Sequence, residues 1–559
     1  MNPTNRRSFI QSLGVATAGL SLASALPASL RAEENQNPQH TPSDSDGPML
    51  QTGDNIAVAD TEHGKVRGFI LNGIATFRGI SYGADTSGAN RFLPPKKPAP
   101  WTEIRPALWW GPSAPQVMAG RYSRNEASFI DHWNYYDLSE DCLKINVWTP
   151  ALDGEKRPVI LWLHGGGFTE GNAIEQDGYH GENFSRLGNV VYCSLNHRLG
   201  PMGFSNFANA LGEQYAQSGN VGMLDIVLGL EWIRDNIKNF GGDPANVTII
   251  GQSGGGAKVC TLMAMPAAKG LFHKAVSLSG SSLGGLKKDY SEKLGNYILG
   301  EAKLTAADVD TLRKIPWEEY LTIAHRAAKR LNAEMPGLAG RRGGFAPTSD
   351  GSVLPIEPFF SDPQGLSANV PLIVCSTFNE SSPSREDSSL ENVTLDQVKE
   401  KLRSRFGEKT GEIVDTYNRV FPGKKPVEIW SLVASNRQAP IATANAKSKQ
   451  SAPVYVAWFG FQPPLFDNRM RAFHTLDISF WFANTDRMWT HSGGGARPRK
   501  LSDKMAHSLL KFMRTGNPNG GGLPDWPVYT EEKGETMILN DQCEVQNDPD
   551  RDARKTLPI

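Results

Sequence analysis

The stretch Val247-Thr248-Ile249-Ile250-Gly251-Gln252-Ser253-Gly254-Gly255-Gly256 decides the fold of this 559-residue chain. Its first four residues form an apolar, β-branched run that is too short for a helix, which predicts a buried strand. Gly251 to Gly255 match the pattern Gly-x-Ser-x-Gly, in which a serine stands on a sharp turn between a strand and a helix. Residues 256–263 can form that helix, and its first turn is nearly free of side chains.

The same pattern occurs two more times, centred on Ser81 and on Ser282. Neither of these matches is followed by a helical pattern, whereas Ser253 follows a strand directly and precedes a helix. We therefore predict that Ser253 is a nucleophile. A purely structural turn at this position is the alternative.

Outward from this stretch, short apolar runs bounded by turn residues predict further buried strands. These runs are Pro158–Leu163, Val190–Leu195, Val247–Ile250, Ala275–Leu278, Leu372–Val374 and Val454–Trp458. Between Asn220 and Asn239, apolar residues recur at steps of three and four, which predicts a helix. Strands that alternate with helices predict right-handed crossovers and an α/β fold with a large, mostly parallel sheet flanked by helices.

A serine nucleophile needs donors that stabilise an oxyanion. The predicted strand that ends at Leu163 runs into His164-Gly165-Gly166-Gly167-Phe168. A glycine-rich segment in this place supplies backbone N–H groups to an oxyanion in enzymes with this kind of turn. A plain flexible loop is the alternative.

The acid and the histidine of such a site follow the serine in that order. Glu380 ends the apolar run 371–378 and is the predicted acid, while Asp477 and Asp486 are rivals that come after the histidine. His474 follows the run 454–459 and is the predicted base.

Two other histidines lie downstream of the predicted strands. His507 falls in a helical pattern and is expected at the surface. His491 opens a stretch rich in glycine and arginine, 491–500, which we expect to be a mobile loop.

Composition excludes several classes of protein. The 58 basic and 59 acidic residues give a net charge of −1, which predicts no electrostatic footprint for nucleic acid. Hydrophobic residues make up 39% of the chain, enough for a large core, and charged residues make up 21%. This balance excludes a wholly disordered chain and a multispan membrane protein.

Residues 1–32 are not expected to belong to the folded domain. Asn5-Arg6-Arg7-Ser8-Phe9-Ile10-Gln11 precedes a weakly apolar run, and small residues near its end suit cleavage after Ala25, Ala28 or Ala32. The paired arginines resemble a bacterial twin-arginine export signal, which predicts a periplasmic or secreted protein without a stable membrane anchor. An uncleaved anchor helix is the alternative. The polar residues 33–54 predict a linker.

The five cysteines, Cys142, Cys193, Cys260, Cys375 and Cys543, leave at least one thiol unpaired. Cys193 and Cys375 lie in strand-like apolar runs, which favours a role as small buried side chains. No His or Cys spacing indicates a metal site. We expect neither a metal nor an organic cofactor.

Several motifs in order resemble the type-B carboxylesterase family, and the resemblance runs from about residue 57 to about 540. It implies one α/β-hydrolase domain over residues 55–559. The motifs are Phe77–Tyr82, Arg91-Phe92, Ser139–Asn146, Gly222–Asp225, Phe240–Pro244, Gly251–Gly256, Gly516–Asn519 and Leu523–Pro527.

The resemblance implies roles for individual residues. Ser253 is the nucleophile, Glu380 the acid and His474 the general base, and N–H groups of Gly166, Gly167 and Gly254 form the oxyanion hole. Ser279 matches a serine near the acid, and Arg91 and Glu140 match a structural ion pair.

Three departures from the family concern this chain. Gln252 stands where the family usually has Glu, which weakens any case for a cationic, choline-like substrate. Gly254 stands where Ala is usual, and Cys142 lacks the upstream cysteine of the family's loop disulfide. Trp133 resembles an aromatic residue that lines the alcohol side of the site, although packing under a loop is an alternative reading of it. We expect Trp133 and Gln252 to contact substrate.

The expected function is that of an exported serine carboxylesterase acting on small-molecule esters through an acyl-enzyme. An amidase or carbamate hydrolase with the same residues, and a non-catalytic adhesion domain of the same fold, are the alternatives. The residues make no prediction about the oligomeric state.

Overall fold

The computed structural model describes residues 49–558, with the exception of 119–125, 132, 135, 338–343, 363 and 436. The predicted export signal and most of the predicted linker lie outside these residues. The strands are β1 Leu50–Gln51, β2 Val58–Thr61, β3 Gly64–Arg67, β4 Phe69–Leu71, β5 Ile74–Ser81, β6 Arg105–Pro106, β7 Lys144–Thr149, β8 Arg157–Leu163, β9 Val191–Leu195, β10 Gly242–Gln252, β11 Lys274–Leu278, β12 Leu286–Lys287, β13 Thr348–Ser349, β14 Leu372–Thr377, β15 Val454–Phe459, β16 Glu535–Leu539 and β17 Glu544–Asn547.

The helices lie between and around these strands. They are α1 Glu126–Ile130, α2 Glu182–Gly188, α3 Gly200–Phe204, α4 Ala208–Leu211, α5 Val221–Asn236, α6 Gly254–Met263, α7 Lys288–Ala302, α8 Val309–Lys314, α9 Trp317–Glu334, α10 Pro383–Glu386, α11 Leu395–Phe406, α12 Thr410–Val420, α13 Pro426–Ala434, α14 Gln438–Lys447, α15 Ile478–Trp481, α16 Trp489–Ser492, α17 Ala496–Thr515 and α18 Arg551–Arg554.

The largest sheet has the strand order β1-β4-β5-β7-β9-β8-β10-β11-β14-β15-β16-β17. The run from β9 to β16 is parallel throughout, and antiparallel strands complete both edges. From β8 the chain continues to β9 on one side, and β10 then lies on the other side of β8. The carboxyl ends of β8 and β10 therefore flank a switch point in strand order, which is where open α/β sheets bind ligands.

The predicted strands and the helix at 220–239 are all present, which confirms the predicted α/β fold with its large, mostly parallel sheet. The reason is that both faces of the parallel strands are buried. In β8, Val159 and Leu161 belong to one apolar cluster, while Ile160 and Trp162 belong to a second cluster on the opposite face. Such strands read as continuous apolar runs in a sequence.

Two segments differ from what the sequence suggested. Leu50 and Gln51, which we assigned to the linker, pair with β4 at the edge of the large sheet. The stretch 491–500, expected to be a mobile loop, contains the end of α16, three glycines with positive φ and the start of α17. Backbone hydrogen bonds hold both segments in regular structure. Because these bonds do not depend on apolar side chains, the sequence shows no apolar pattern at either segment.

The cysteines are buried or half-buried free thiols, and Cys193 and Cys375 lie in the core as predicted. Among the described residues, no helix is both long enough and apolar enough to span a bilayer.

Buried ion pairs tie segments that are distant in sequence. Arg91 and Glu140, predicted as a structural pair, form two hydrogen bonds and are both buried. Arg198 binds both carboxylate oxygens of Asp225 on α5, with side-chain exposures of 2% and 0%. Arg198 also donates to the Leu93 carbonyl, so this pair joins three segments of the chain.

We expect Asp225→Asn to lower the free energy of unfolding by about 3–5 kcal/mol, because it leaves the Arg198 charge buried without a counter-charge. The denaturant midpoint measures the loss. Asp235→Asn on the same helix is the control, since Asp235 pairs with partly exposed Arg234 and Lys97. That change should cost less than about 1 kcal/mol. Equal effects of the two substitutions would contradict the prediction.

Candidate active site

Ser253 stands between β10 and α6 with φ 56° and ψ −121°, a conformation that non-glycine residues rarely adopt. Its N–H donates to the Leu278 carbonyl at 2.8 Å, which holds the turn against β11. The structure therefore places Ser253 on the predicted sharp turn between strand and helix. The rival Ser81 lies at the end of β5, and Ser282 lies beyond the end of β11, bonded to the Gly284 carbonyl.

The start of α6 packs directly on the glycine loop that follows β8, which we define as residues 164–168. A Cβ added at Gly254 would lie 2.0 Å from the Gly167 carbonyl oxygen. A Cβ at Gly255 would lie 2.0 Å from the Leu163 carbonyl oxygen. This contact gives a physical reason for Gly254, where the resembling family usually has Ala.

Glu380 and His474 meet at the carboxyl ends of the neighbouring strands β14 and β15. The Glu380 carboxylate pairs with Nδ1 of His474 and accepts a hydrogen bond from the Thr377 N–H at 2.7 Å. The Asn379 N–H donates to the Ala472 carbonyl at 3.1 Å, so the two loops are also joined through their backbones. The structure thus brings the predicted acid and base together.

The Glu380 carboxylate sets the protonation of His474. Burial lowers the pKa of His474, but the charge and hydrogen bond of Glu380 outweigh this effect, so the pKa lies above its ordinary value of 6.5. The charged imidazolium is therefore favoured by its neighbour, which is what a histidine that accepts a proton requires.

The rival acids and histidines occupy other places. The buried Asp477 accepts from the Trp481 indole, and burial together with Glu380 raises its pKa to about 7. Asp486 pairs with Arg499.

The two other downstream histidines also lie apart from Ser253. His507 is exposed on α17 as expected, whereas His491 is buried beside Asp131 and not in a polar loop.

A cavity of about 280 Å³ brings the candidate residues together. Ser253, His474, the glycines Gly165–Gly167, Trp133 and Gln252 line it. Nε2 of Gln252 lies 3.2 Å from Nε2 of His474, so the amide stands against the imidazole. Gly166 and Gly167 both have positive φ. Gly254 lies beside this cavity through its contact with Gly167.

Two further cavities adjoin the first. Ser279 lines a cavity of about 320 Å³ together with Glu380 and His474, which places it near the acid as predicted. Trp133 and Tyr179 also line a cavity of about 490 Å³ together with Trp110, so both residues border two spaces.

Sequence reasoning missed several charged residues at the site. Asp131 and Arg385 form an ion pair that lines the cavity of Ser253, and the Arg385 guanidinium lies 4.6 Å from the Phe473 ring centroid. Glu175 lines the same cavity. These residues lie in loops or in very short helices, and no spacing identifies them. Lys258 in α6 did carry a signal, because it stands alone in an apolar helix.

Within the described part of the chain, no group of three or more His, Cys, Asp or Glu side chains is arranged to hold a metal ion. Independently of this, the arrangement brings a serine, an imidazole and the backbone of the glycine loop to one cavity, with a carboxylate paired to the imidazole.

Comparison with known proteins adds a separate line of evidence. A family model described as "Carboxylesterase family" matches residues 55–555. Para-nitrobenzyl esterase of Bacillus subtilis is 33% identical over 510 residues, covering 89% of this chain and 98% of that protein. Phenmedipham hydrolase of Pseudarthrobacter oxydans is 31% identical over 518 residues, covering 89% and 99%.

Solved structures show the same relationship. A carboxylesterase of Geobacillus stearothermophilus has a TM-score of 0.74 and 31% identity, covering 90% of this chain and 100% of that one. An esterase of Clostridium hathewayi, described as able to hydrolyse aliphatic aromatic polyesters, has a TM-score of 0.75 and 32% identity, covering 90% and 98%.

We expect Glu380→Gln to lower the pKa of His474, because the amide cannot stabilise the imidazolium and burial then dominates. The titration of selectively ¹³C-labelled histidine, followed by NMR, measures this pKa. Asp486→Asn removes a rival carboxylate and should leave the His474 pKa unchanged. An unchanged His474 pKa in Glu380→Gln would show that a group other than Glu380 raises it.

Proposed function

The chain belongs to the carboxylesterase family and is a carboxylic ester hydrolase, and we propose that Ser253, Glu380 and His474 carry out the reaction. The observation that carries this proposal is the strained Ser253 turn, which shares a cavity with His474 while His474 pairs with Glu380. The order of the three residues in the chain is also the order found in α/β-hydrolases.

In the proposed mechanism, His474 accepts the hydroxyl proton of Ser253 as the serine oxygen attacks the ester carbonyl carbon. Glu380 orients the imidazole and stabilises its charged form. The imidazolium then gives its proton to the departing alcohol as the acyl–oxygen bond breaks. Water attacks the acyl-enzyme in the second half, with His474 again accepting and returning the proton.

We propose that the oxyanion of each tetrahedral intermediate accepts hydrogen bonds from the backbone N–H groups of Gly166, Gly167 and Gly254. The first two lie in a loop that lines the Ser253 cavity, and the third follows the nucleophile directly. Loss of one such donor costs roughly 3–4 kcal/mol of transition-state stabilisation in comparable sites. No metal or organic cofactor enters this mechanism.

Trp133 and Gln252 are proposed to contact the substrate, which we take to be a small-molecule carboxylic ester. Both line the cavity of Ser253. The neutral amide of Gln252 offers no negative charge directly beside the nucleophile, which weakens the case for a choline-like substrate.

We expect Ser253→Ala to lower kcat for p-nitrophenyl acetate and butyrate by roughly 10⁴- to 10⁶-fold, as when a triad nucleophile is removed. Release of p-nitrophenolate measures the rate. Ser282→Ala changes a serine in the same short pattern outside the turn and should keep near-normal activity. Comparable rates in wild type and Ser253→Ala would place the nucleophile elsewhere. Turnover of an isosteric amide at a similar rate would instead favour an amidase.

We also propose that residues 1–32 direct export, on the basis of the paired arginines and the weakly apolar run that follows. In a bacterium with the twin-arginine system, the double variant Arg6→Lys, Arg7→Lys should leave esterase activity in the cytoplasmic fraction. With the wild-type full chain, esterase activity should instead be found in the periplasm or the medium. The same distribution for both chains would argue against this signal.

A further inference from the structure

Lys258 is a buried cation close to the reacting serine. It lies on α6, five residues after Ser253, and its side chain is fully buried. The residues that follow it in the helix are mostly apolar, and a lysine rarely occupies such a position. A buried ammonium is costly unless specific partners compensate it.

The contacts of the Lys258 ammonium are made with the glycine loop. Nζ donates to the His164 carbonyl at 2.9 Å. Nζ also lies 6.0 Å from the centroid of the Phe168 ring, at the limit of a cation–π contact. The lysine therefore touches the first and the last residue of the loop that contains Gly166 and Gly167.

The surface of α6 explains how Lys258 reaches this loop. Gly254 and Gly255 stand four and three residues before Lys258, so all three lie on one face of the helix. The two glycines let that face approach the loop closely, because a Cβ on either would lie 2.0 Å from a backbone oxygen of β8 or of the loop. One turn later, the lysine side chain spans the remaining distance to the His164 carbonyl.

The environment of the ammonium is unfavourable for its charge. Burial lowers the pKa of Lys258 to about 7, and the carboxylate of Glu175 opposes this effect only in part. An apolar side chain would fill the same space without this cost. A charged donor, however, binds a carbonyl more strongly than a neutral one does.

We propose that Lys258 is a positioning residue, which holds the His164 carbonyl so that the N–H groups of Gly166 and Gly167 point at the oxyanion. The His164 carbonyl and the Gly165 N–H belong to one rigid peptide plane. Holding that plane fixes the position and direction of the backbone at the start of the glycine segment, although glycine itself permits many conformations. This inference rests on the proposed function, since it concerns how the proposed oxyanion hole is kept in place.

Lys258→Met tests the proposal with a side chain of similar length and no charge. We expect kcat for p-nitrophenyl butyrate to fall roughly 10²-fold, as for a small misplacement of catalytic groups, with KM within about threefold of wild type. Lys447→Met is the matched control. Lys447 is also buried and binds the Ser367 and Ala368 carbonyls, with a pKa lowered to about 7, but it lies outside the glycine loop.

A second readout separates positioning from general stability. An aryl trifluoromethyl ketone forms a tetrahedral adduct with a serine nucleophile, whereas the matched methyl ketone reports mainly ground-state binding. In Lys258→Met the inhibition constant of the first should rise by the same factor as kcat/KM falls. That of the methyl ketone should stay near its wild-type value. Equal weakening of both ketones, or an unchanged kcat in the folded variant, would overturn the proposal.

Lys258→Gln provides a second variant if Lys258→Met does not fold. Its amide keeps a neutral N–H donor but is shorter, and we again expect a fall in kcat without a matching rise in KM. Wild-type rates in this variant would also overturn the proposal. A wild-type enzyme without Ser253-dependent turnover would overturn the proposed function itself, so the two failures are distinguishable.

Discussion

The close approach of α6 to the end of β8 is the constraint on which the rest of the site depends. Gly254 and Gly255 carry no side chain, and the backbone of the glycine loop and of the end of β8 occupies the space where their Cβ atoms would lie. This contact sets the distance between the strained Ser253 turn and the loop glycines. A serine on such a turn needs donors at a fixed place, because stabilisation of an oxyanion depends on preorganised geometry.

Buried charge surrounds this arrangement and is compensated in different ways. The Arg198–Asp225 pair balances two charges completely and joins distant segments. Glu380 and His474 share one interaction that makes the imidazole more basic. Lys258 has a backbone carbonyl as its partner, so its charge is the least compensated of the three. The two interactions nearest the cavity are those of His474 with Glu380 and of Lys258 with the His164 carbonyl. In both of them, the protonation of the basic group is linked to its position.

Local pattern was sufficient for the six predicted parallel strands, for α5 and for the Ser253 turn, because each is encoded by neighbouring residues. It failed for β1 and for 491–500, where backbone pairing and helix propagation supply order without an apolar signature. The order of Ser253, Glu380 and His474 was readable because each follows the end of a buried strand. Asp131, Arg385 and Glu175 were not readable, since they reach the cavity from loops or very short helices.

The sequence by itself determined the fold class, the turn that carries Ser253 and the order in which a candidate acid and a candidate histidine follow it. These features depend on hydrophobic runs and on short motifs, and both are local in the chain. Only the tertiary structure decided which charges face the cavity, that Trp133 borders two spaces and where the Lys258 ammonium binds. Those properties arise because segments far apart in sequence pack together and exclude water from the charges between them. Neighbouring residues in the sequence do not indicate which distant segments will do so.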